Sequence, residues 1–126
     1  MGNAEIEELN RITERIIGLA IEVHKKLGPG FIEKIYQEAL SLELDQSKIS
    51  YEKEKFITIN YKGRKLGEQR IDFLIENSII LEIKAIDKIG PIHIAQVISY
   101  LKAMDKRLGL ILNFSEVKLG IKRVIV

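Results

Sequence analysis

The run Arg70-Ile71-Asp72-Phe73-Leu74-Ile75-Glu76-Asn77-Ser78-Ile79-Ile80-Leu81-Glu82-Ile83-Lys84 decides how this chain folds. It is two apolar stretches of strand character around a short polar break, Glu76-Asn77-Ser78. Three charges stand among the apolar residues: Asp72, Glu82 and Lys84. Side chains alternate faces along a strand, so Glu82 and Lys84 share one face while Leu81 and Ile83 take the other. Whether Asp72 joins them depends on the loop. If residues 76 to 78 form it, Ile75 pairs with Ile79 and Asp72 falls across from Glu82; Asn77 tolerates the left-handed conformation such a loop requires. A loop of Asn77-Ser78 alone sets Asp72 opposite Ile83 instead. We take the first register, which places Ile71, Phe73, Leu81 and Ile83 opposite the charged face. Two carboxylates facing each other in a sheet repel unless a cation lies between them. Such a pair beside a lysine is what a divalent-metal hydrolytic site needs.

Upstream, Ile6, Leu9, Ile12, Ile16, Ala20, Val23 and Leu27 recur at helical spacing and predict an amphipathic helix over about Asn3 to Leu27. Asn3 is placed to cap it, and Glu5, Glu7 and Glu8 suit the positive end of its dipole. Gly28-Pro29-Gly30 ends it. A second helix follows from near Phe31 to about Gln46, with Ile32, Ile35, Tyr36, Ala39 and Leu40 as its stripe. Residues 52 to 62 alternate as a strand, Lys62-Gly63 make a turn, and a second strand resumes by Leu66. That strand carries Asp72 and the next carries Glu82 and Lys84, giving an antiparallel meander.

Downstream, 85 to 90 is a connecting loop, and Pro91 opens a helix that runs to about Met104. Ile94, Ile98 and Leu101 form its core face, with His93, Gln96 and Tyr100 as an adjacent stripe. Leu108 to Phe114 reads as a strand buried on both faces. The last segment, about 118 to 126, reads as an edge strand or an extended tail. The strands flanking the third helix should be parallel neighbours. The expected fold is α/β: one domain over 1–126, a mixed sheet flanked by helices.

With 46% hydrophobic and 30% charged residues the composition is that of a soluble globular protein. Cysteine is absent, which excludes disulfides and thiolate metal sites. A net charge of +2 is too small to argue for nucleic-acid binding, so any polyanion site must come from local clustering. No apolar run approaches the roughly 20 residues that span a membrane, and the acidic N-terminus does not resemble a signal peptide. The expected compartment is the cytoplasm.

Charge in a buried strand is costly, so Asp72, Glu82 and Lys84 need partners, a cation or a place at the sheet's open end. Spacing alone leaves two alternatives open. One is a cation site; the other is an ion-pair network joining Asp72 to Lys84 or Glu82 to Arg70. Glu-x-Lys is a weak signal by itself: Glu116-Val117-Lys118 repeats it in a turn-rich stretch and reads as solvated surface. Glu33 in a first helical turn also suits the helix dipole. His93 either touches the site or serves the helix start, and His24 reads as packing or surface. Lys62, Arg64, Lys65 and Arg70 gather at one turn, and Lys118, Lys122 and Arg123 near the C-terminus; each group is a solvated face or a phosphate contact.

Asp72 and, nine residues on, Glu82-Ile83-Lys84 on a hairpin resemble the PD-(D/E)XK nuclease superfamily. The order helix, three strands, helix, strand between residues 31 and 114 is similar to its core. More narrowly, Leu27-Gly28-Pro29-Gly30-Phe31-Ile32-Glu33-Lys34-Ile35-Tyr36 resembles the GxxExxY family through Gly30, Glu33 and Tyr36. Pro91 to Gln96, Tyr100-Leu101-Lys102 and Gly109 to Phe114 are similar to that family as well. Ile71 stands where the superfamily's name has proline.

The resemblance implies a restriction-endonuclease-like αβββαβ core with an extra N-terminal helix. It implies a metal-dependent phosphodiesterase acting on DNA or RNA, with Mg²⁺ or Mn²⁺ held by Asp72, Glu82 and the Ile83 carbonyl. Glu33 is an extra acid on that ion, directly or through water. Such hard cations prefer oxygen ligands. Lys84 holds or activates the attacking water, Gln96 orients water or a ligand, and Tyr36, Tyr100, Arg70 and His93 lie on the substrate side. It also implies a homodimer, with the first helix or Val124-Ile125-Val126 as candidate contact surface. The alternative is a catalytically silent binding module that retains the nuclease fold.

Overall fold

The computed structural model describes residues 2–126; Met1 lies outside the described residues. Its elements are α1 (Asn3–Leu27), α2 (Glu33–Gln46), β1 (Tyr51–Tyr61), β2 (Arg64–Ile75), β3 (Ile79–Lys84), α3 (Pro91–Met104), β4 (Leu108–Asn113) and β5 (Gly120–Ile125). The strands form one mixed sheet in the order β1-β2-β3-β4-β5. β1, β2 and β3 are an antiparallel meander, β4 runs parallel to β3, and β5 returns antiparallel along β4. The C-terminal segment is thus an edge strand.

Alternation along β3 and β4 divides the core into two layers. Phe73, Ile79, Leu81, Ile83, Leu110 and Leu112 pack under α1 and α2, with Ile16, Ala20, Tyr36 and Leu40. Leu74, Ile80 and Ile111 pack against α3 through Val97, Tyr100 and Leu101. Every residue of β4 is buried, as expected of a central strand covered on both faces. The apolar stripe of α1 covers this chain's own sheet rather than waiting for a second copy.

Local details depart from the sequence pattern. The residue capping α1 is Gly2, and Asn3 lies inside the helix without a side-chain cap. α2 starts at Glu33 and buries Tyr36, Gln37, Leu40, Ser41 and Leu44, whereas Ile32 and Ile35 are exposed. The helix is therefore rotated from the expected stripe, which brings Glu33, one turn before Gln37, to the side facing the sheet. The turn Lys62-Gly63 has φ 49° and 75°, the paired positive values of a type I′ hairpin.

Candidate active site

Ile75 pairs with Ile79, Leu74 with Ile80 and Phe73 with Leu81, which is the register of the three-residue loop. Asn77 adopts φ 53° as that loop requires, and Glu76 joins it at φ 51° while its carboxylate accepts from the Ser50 amide and hydroxyl. The paired ladder of β2 and β3 stops at Phe73 and Leu81, one step short of Asp72 and Glu82. Here the ladder changes character. The Ile83 amide donates to Asp72 Oδ2 at 2.7 Å, so a side chain takes the place of a strand carbonyl.

Asp72 also marks a kink. β1 pairs with β2 at Lys53–Phe73 and again at Lys55–Ile71, but the step between them is missing, and Glu54 there has φ 54°. Face alternation slips across this point. Ile71 joins Leu74 and Ile80 in the α3 layer instead of lying with Phe73, which corrects the expected face of Ile71.

Glu82 is only 5% exposed, and its Oε1 is buried without a hydrogen-bond partner. Burial first, and then the negative charge of Asp72, push its carboxyl up to about 9, against a smaller opposing pull from Lys84. Glu33 arrives from the first turn of α2. Burial and then Asp72 raise its carboxyl too, with Lys84 again opposing. Asp72 and Lys84 thus act on both Glu82 and Glu33, which places the four groups in one electrostatic neighbourhood. No salt bridge links Asp72 or Glu82 to Lys84 or Arg70 among the described residues; Arg70 is exposed and approaches Glu54 at 4.0 Å. The ion-pair alternative is not what the fold builds.

Lys84, His93 and Gln96 line an open cleft of about 460 Å³ with Ile92, Ala95 and Ser99. Lys84 is the residue that the cleft and the acidic cluster share. The Gly90 amide donates to His93 Nδ1 at 2.9 Å while the His93 amide donates to the Gly90 carbonyl, so His93 caps its own helix as well as lining the cleft.

Two residues placed on the substrate side belong to the frame. Tyr36 is fully buried; its hydroxyl donates to the Gly28 carbonyl at 2.6 Å and accepts from the Phe31 amide at 3.1 Å. Its ring stacks on Phe114, whose amide donates to the Lys84 carbonyl. Fully buried and tied through its hydroxyl to both ends of the turn, Tyr36 locks Gly28-Pro29-Gly30, in which Gly30 takes φ 117°, and so fixes the start of Glu33's helix. Tyr100 is buried in the α3 layer and donates to Gln69 Oε1 at 3.3 Å. Burial, then Glu82 and Asp72, raise its hydroxyl, which places it near the acids; its burial and its bond to Gln69 leave little of it open to substrate.

Asn113 is a part of the site that the strand pattern does not single out. It is fully buried, its Oδ1 accepts from the Ile86 amide, and its Nδ2 donates to the Ile86 carbonyl and to Glu116 Oε2. It pins the loop leaving Lys84. The available signal is one amide ending an otherwise apolar strand. Glu116, through this bond, is half-buried rather than simply solvated, while Val117 and Lys118 are exposed as expected. His24 Nε2 bonds the Glu116 carbonyl at 2.8 Å, a packing role.

The donor set suits a hard divalent cation: two carboxylates, one of them buried with an oxygen left over, and no thiolate. No three His, Cys, Asp or Glu side chains form a ligand cage among the described residues. A cation here would complete its shell with main-chain oxygen, water or substrate.

The sequence profile of the PD-(D/E)XK nuclease superfamily matches residues 10–124. The chain belongs to the PD-(D/E)XK nuclease superfamily. The helix–three strands–helix–strand portion from α2 to β4 is the core of that fold, and α1 is the extra N-terminal helix. The crystal structure of SSO0001 superposes with a TM-score of 0.58 at 25% identity, over 73% of this chain and 48% of that one. The chain therefore spans about half the length of that protein. Comparison with curated proteins finds no match. No helix among the described residues is long and apolar enough to cross a membrane.

Proposed function

We propose that the chain is a metal-dependent phosphodiesterase that cleaves nucleic acid, with DNA the first candidate, at the site built by Asp72, Glu82 and Lys84. The observation that carries this reading is the Glu82 carboxylate, buried beside Asp72 with one oxygen unpartnered. That arrangement is costly unless a cation offsets it. Mg²⁺ or Mn²⁺ would be held by Asp72, Glu82 and the Ile83 carbonyl, with Glu33 adding charge from α2 directly or through water. Such an ion, when bound, supplies Lewis-acid polarisation and a water of lowered pKa.

The chain's own groups do the remainder. Lys84 stands where the acids meet the cleft, so its amine orients the attacking water and offsets charge developing on the phosphate. Gln96 is exposed on the cleft and offers its amide to water or a substrate oxygen. With His93 Nδ1 tied to Gly90, Nε2 is the nitrogen left for substrate. The lock formed by Tyr36 on the Gly28–Gly30 turn, with Glu33 between, gives physical roles to Gly30, Glu33 and Tyr36 and supports the narrower GxxExxY assignment.

Incubation with supercoiled, linear and branched DNA, and with RNA, in Mg²⁺ and Mn²⁺ tests the reading. Metal-dependent cleavage by the wild type should fall by 100-fold or more in Asp72→Asn and Lys84→Ala proteins. Cleavage that persists in both variants would remove the assignment. A homodimer is the proposed assembly: the outer edge of β5 is unpaired, with Ile121 and Ile125 exposed. Light scattering should return twice the chain mass; one chain mass across a concentration series would contradict it.

A further inference from the structure

β3 covers β2 only at Phe73, Leu74 and Ile75, yet β2 extends back to Arg64. The stretch before Asp72 is therefore a two-stranded arm, paired within itself from Lys55–Ile71 to Tyr61–Arg64. Ile57, Ile59 and Ile71 rest its root on the α3 layer. Much of the remainder is exposed, including large apolar side chains: Phe56 is 62% exposed, Tyr61 60% and Leu66 66%.

The charge on this arm is unlike that of the rest of the molecule. From residue 55 to 70 there are five basic residues, Lys55, Lys62, Arg64, Lys65 and Arg70, against one acid, Glu68. Because the whole chain carries a net charge of only +2, everything outside the arm is net negative. Intramolecular pairing does not account for all of it. Lys55 meets Glu52, Lys65 meets Glu68 and Arg70 approaches Glu54, but Lys62 and Arg64 at the tip have no carboxylate within 4.0 Å among the described residues. Lys62 instead lies 5.5 Å from the centroid of the Tyr61 ring.

The arm also leads into the acids. Arg70 is two residues from Asp72 on the same strand, and Gln69 accepts from Tyr100, whose hydroxyl lies near the acids. At about 3.3 Å per residue, the distance from Arg64 to Asp72 is roughly 25 Å. That corresponds to about seven base-pair rises of duplex.

We propose that this arm is a clamp for the nucleic-acid phosphate backbone, holding the strand several nucleotides from the bond to be cut. The proposal rests on the nuclease reading above and names where its substrate is gripped. A basic tip on a net-negative body draws a polyanion to the arm rather than elsewhere, and the acids at the root lie where the held strand enters the cleft. The exposed aromatic rings additionally offer stacking to unpaired bases.

The test uses the full chain carrying Lys62→Gln, Arg64→Gln and Lys65→Gln together, all exposed positions at the arm's tip. Hydrolysis of bis(p-nitrophenyl) phosphate in Mn²⁺ reports the site alone, because that ester is too short to reach the arm; it should be unchanged. Binding of a 30-base-pair duplex and a 30-nucleotide single strand is measured in Ca²⁺ over a salt series. The variant should bind at least tenfold more weakly at 100 mM salt, and its salt slope should fall by about 2 to 3, one for each lost contact. Loss on the single strand alone identifies unpaired strands as the ligand, and loss on both identifies the backbone of either. An unchanged affinity and slope on both, or a wild type that binds neither, would overturn the clamp. Absence of ester and DNA hydrolysis in the wild type would instead overturn the nuclease reading, and the binding series would still judge the arm.

Discussion

Glu82 occupies a position that sheet physics would give to a leucine. Its neighbours Leu81 and Ile83 are fully buried, and the carboxylate between them keeps an unpartnered oxygen. Its folded-state pKa of about 9 lies above its ordinary 4.5. Below pH 4.5 both folded and unfolded chains hold this proton and Glu82 costs nothing. As pH rises from 4.5 toward 9 the unfolded chain releases a proton that the folded chain keeps, so metal-free stability falls across that window. Glu82→Gln removes this dependence. In chelator it should be more stable than wild type by about 1–3 kcal/mol at pH 8, with no advantage at pH 4, measured by urea unfolding. A variant less stable than wild type at pH 8 would show that Glu82 is structurally satisfied. The loop register, Ile75 on Ile79, is legible in the sequence because Asn77 permits the left-handed turn that sets it. The face of Ile71 is not, because it depends on a positive φ at Glu54 that nothing in a glutamate side chain announces.

Elements carry the site's precision. α3 presents His93 and Gln96 to the cleft while Val97 and Leu101 settle onto β4 over Gly109, where an added Cβ would run into Val97 Cγ1. Gly109→Ala should therefore push α3 off the sheet and cost about 1–3 kcal/mol, read as a lower urea midpoint; a midpoint equal to wild type would mean α3 is loosely held. The start of α3 is visible in sequence from Pro91, but its inner face only in part: Ile94 and Ile98, expected in the core, are half-buried, while Val97 and Tyr100 join Leu101 as the buried residues. The orientation of α2 is not. Ile32 and Ile35 suggest one inner face, but the bonds of Tyr36 to Gly28 and Phe31, and its stack on Phe114, rotate the helix so that Gln37 and Ser41 turn inward. Tertiary contacts from residues far along the chain decide that angle, and they also aim Glu33.

At the scale of the whole molecule, two apolar layers meet a polar seam. The sheet is sealed by α1 and α2 on one face and α3 on the other, and among the described residues the one buried charged side chain is Glu82, where β2 and β3 part at Asp72. Layer order and strand directions are legible because each strand's alternation or full burial is distinct. The kinked arm and the polar tie at Asn113 are not, since both depend on pairs remote in sequence. The account turns on one property, that the seam is a divalent-cation site. Titration of Mn²⁺ by calorimetry into wild-type, Asp72→Asn, Glu82→Gln and Lys84→Ala proteins measures it without needing a substrate. We expect saturable binding in the wild type, retained in Lys84→Ala and lost in Asp72→Asn and Glu82→Gln. Binding that survives in Glu82→Gln with wild-type affinity, or no binding in any of the four, would contradict it.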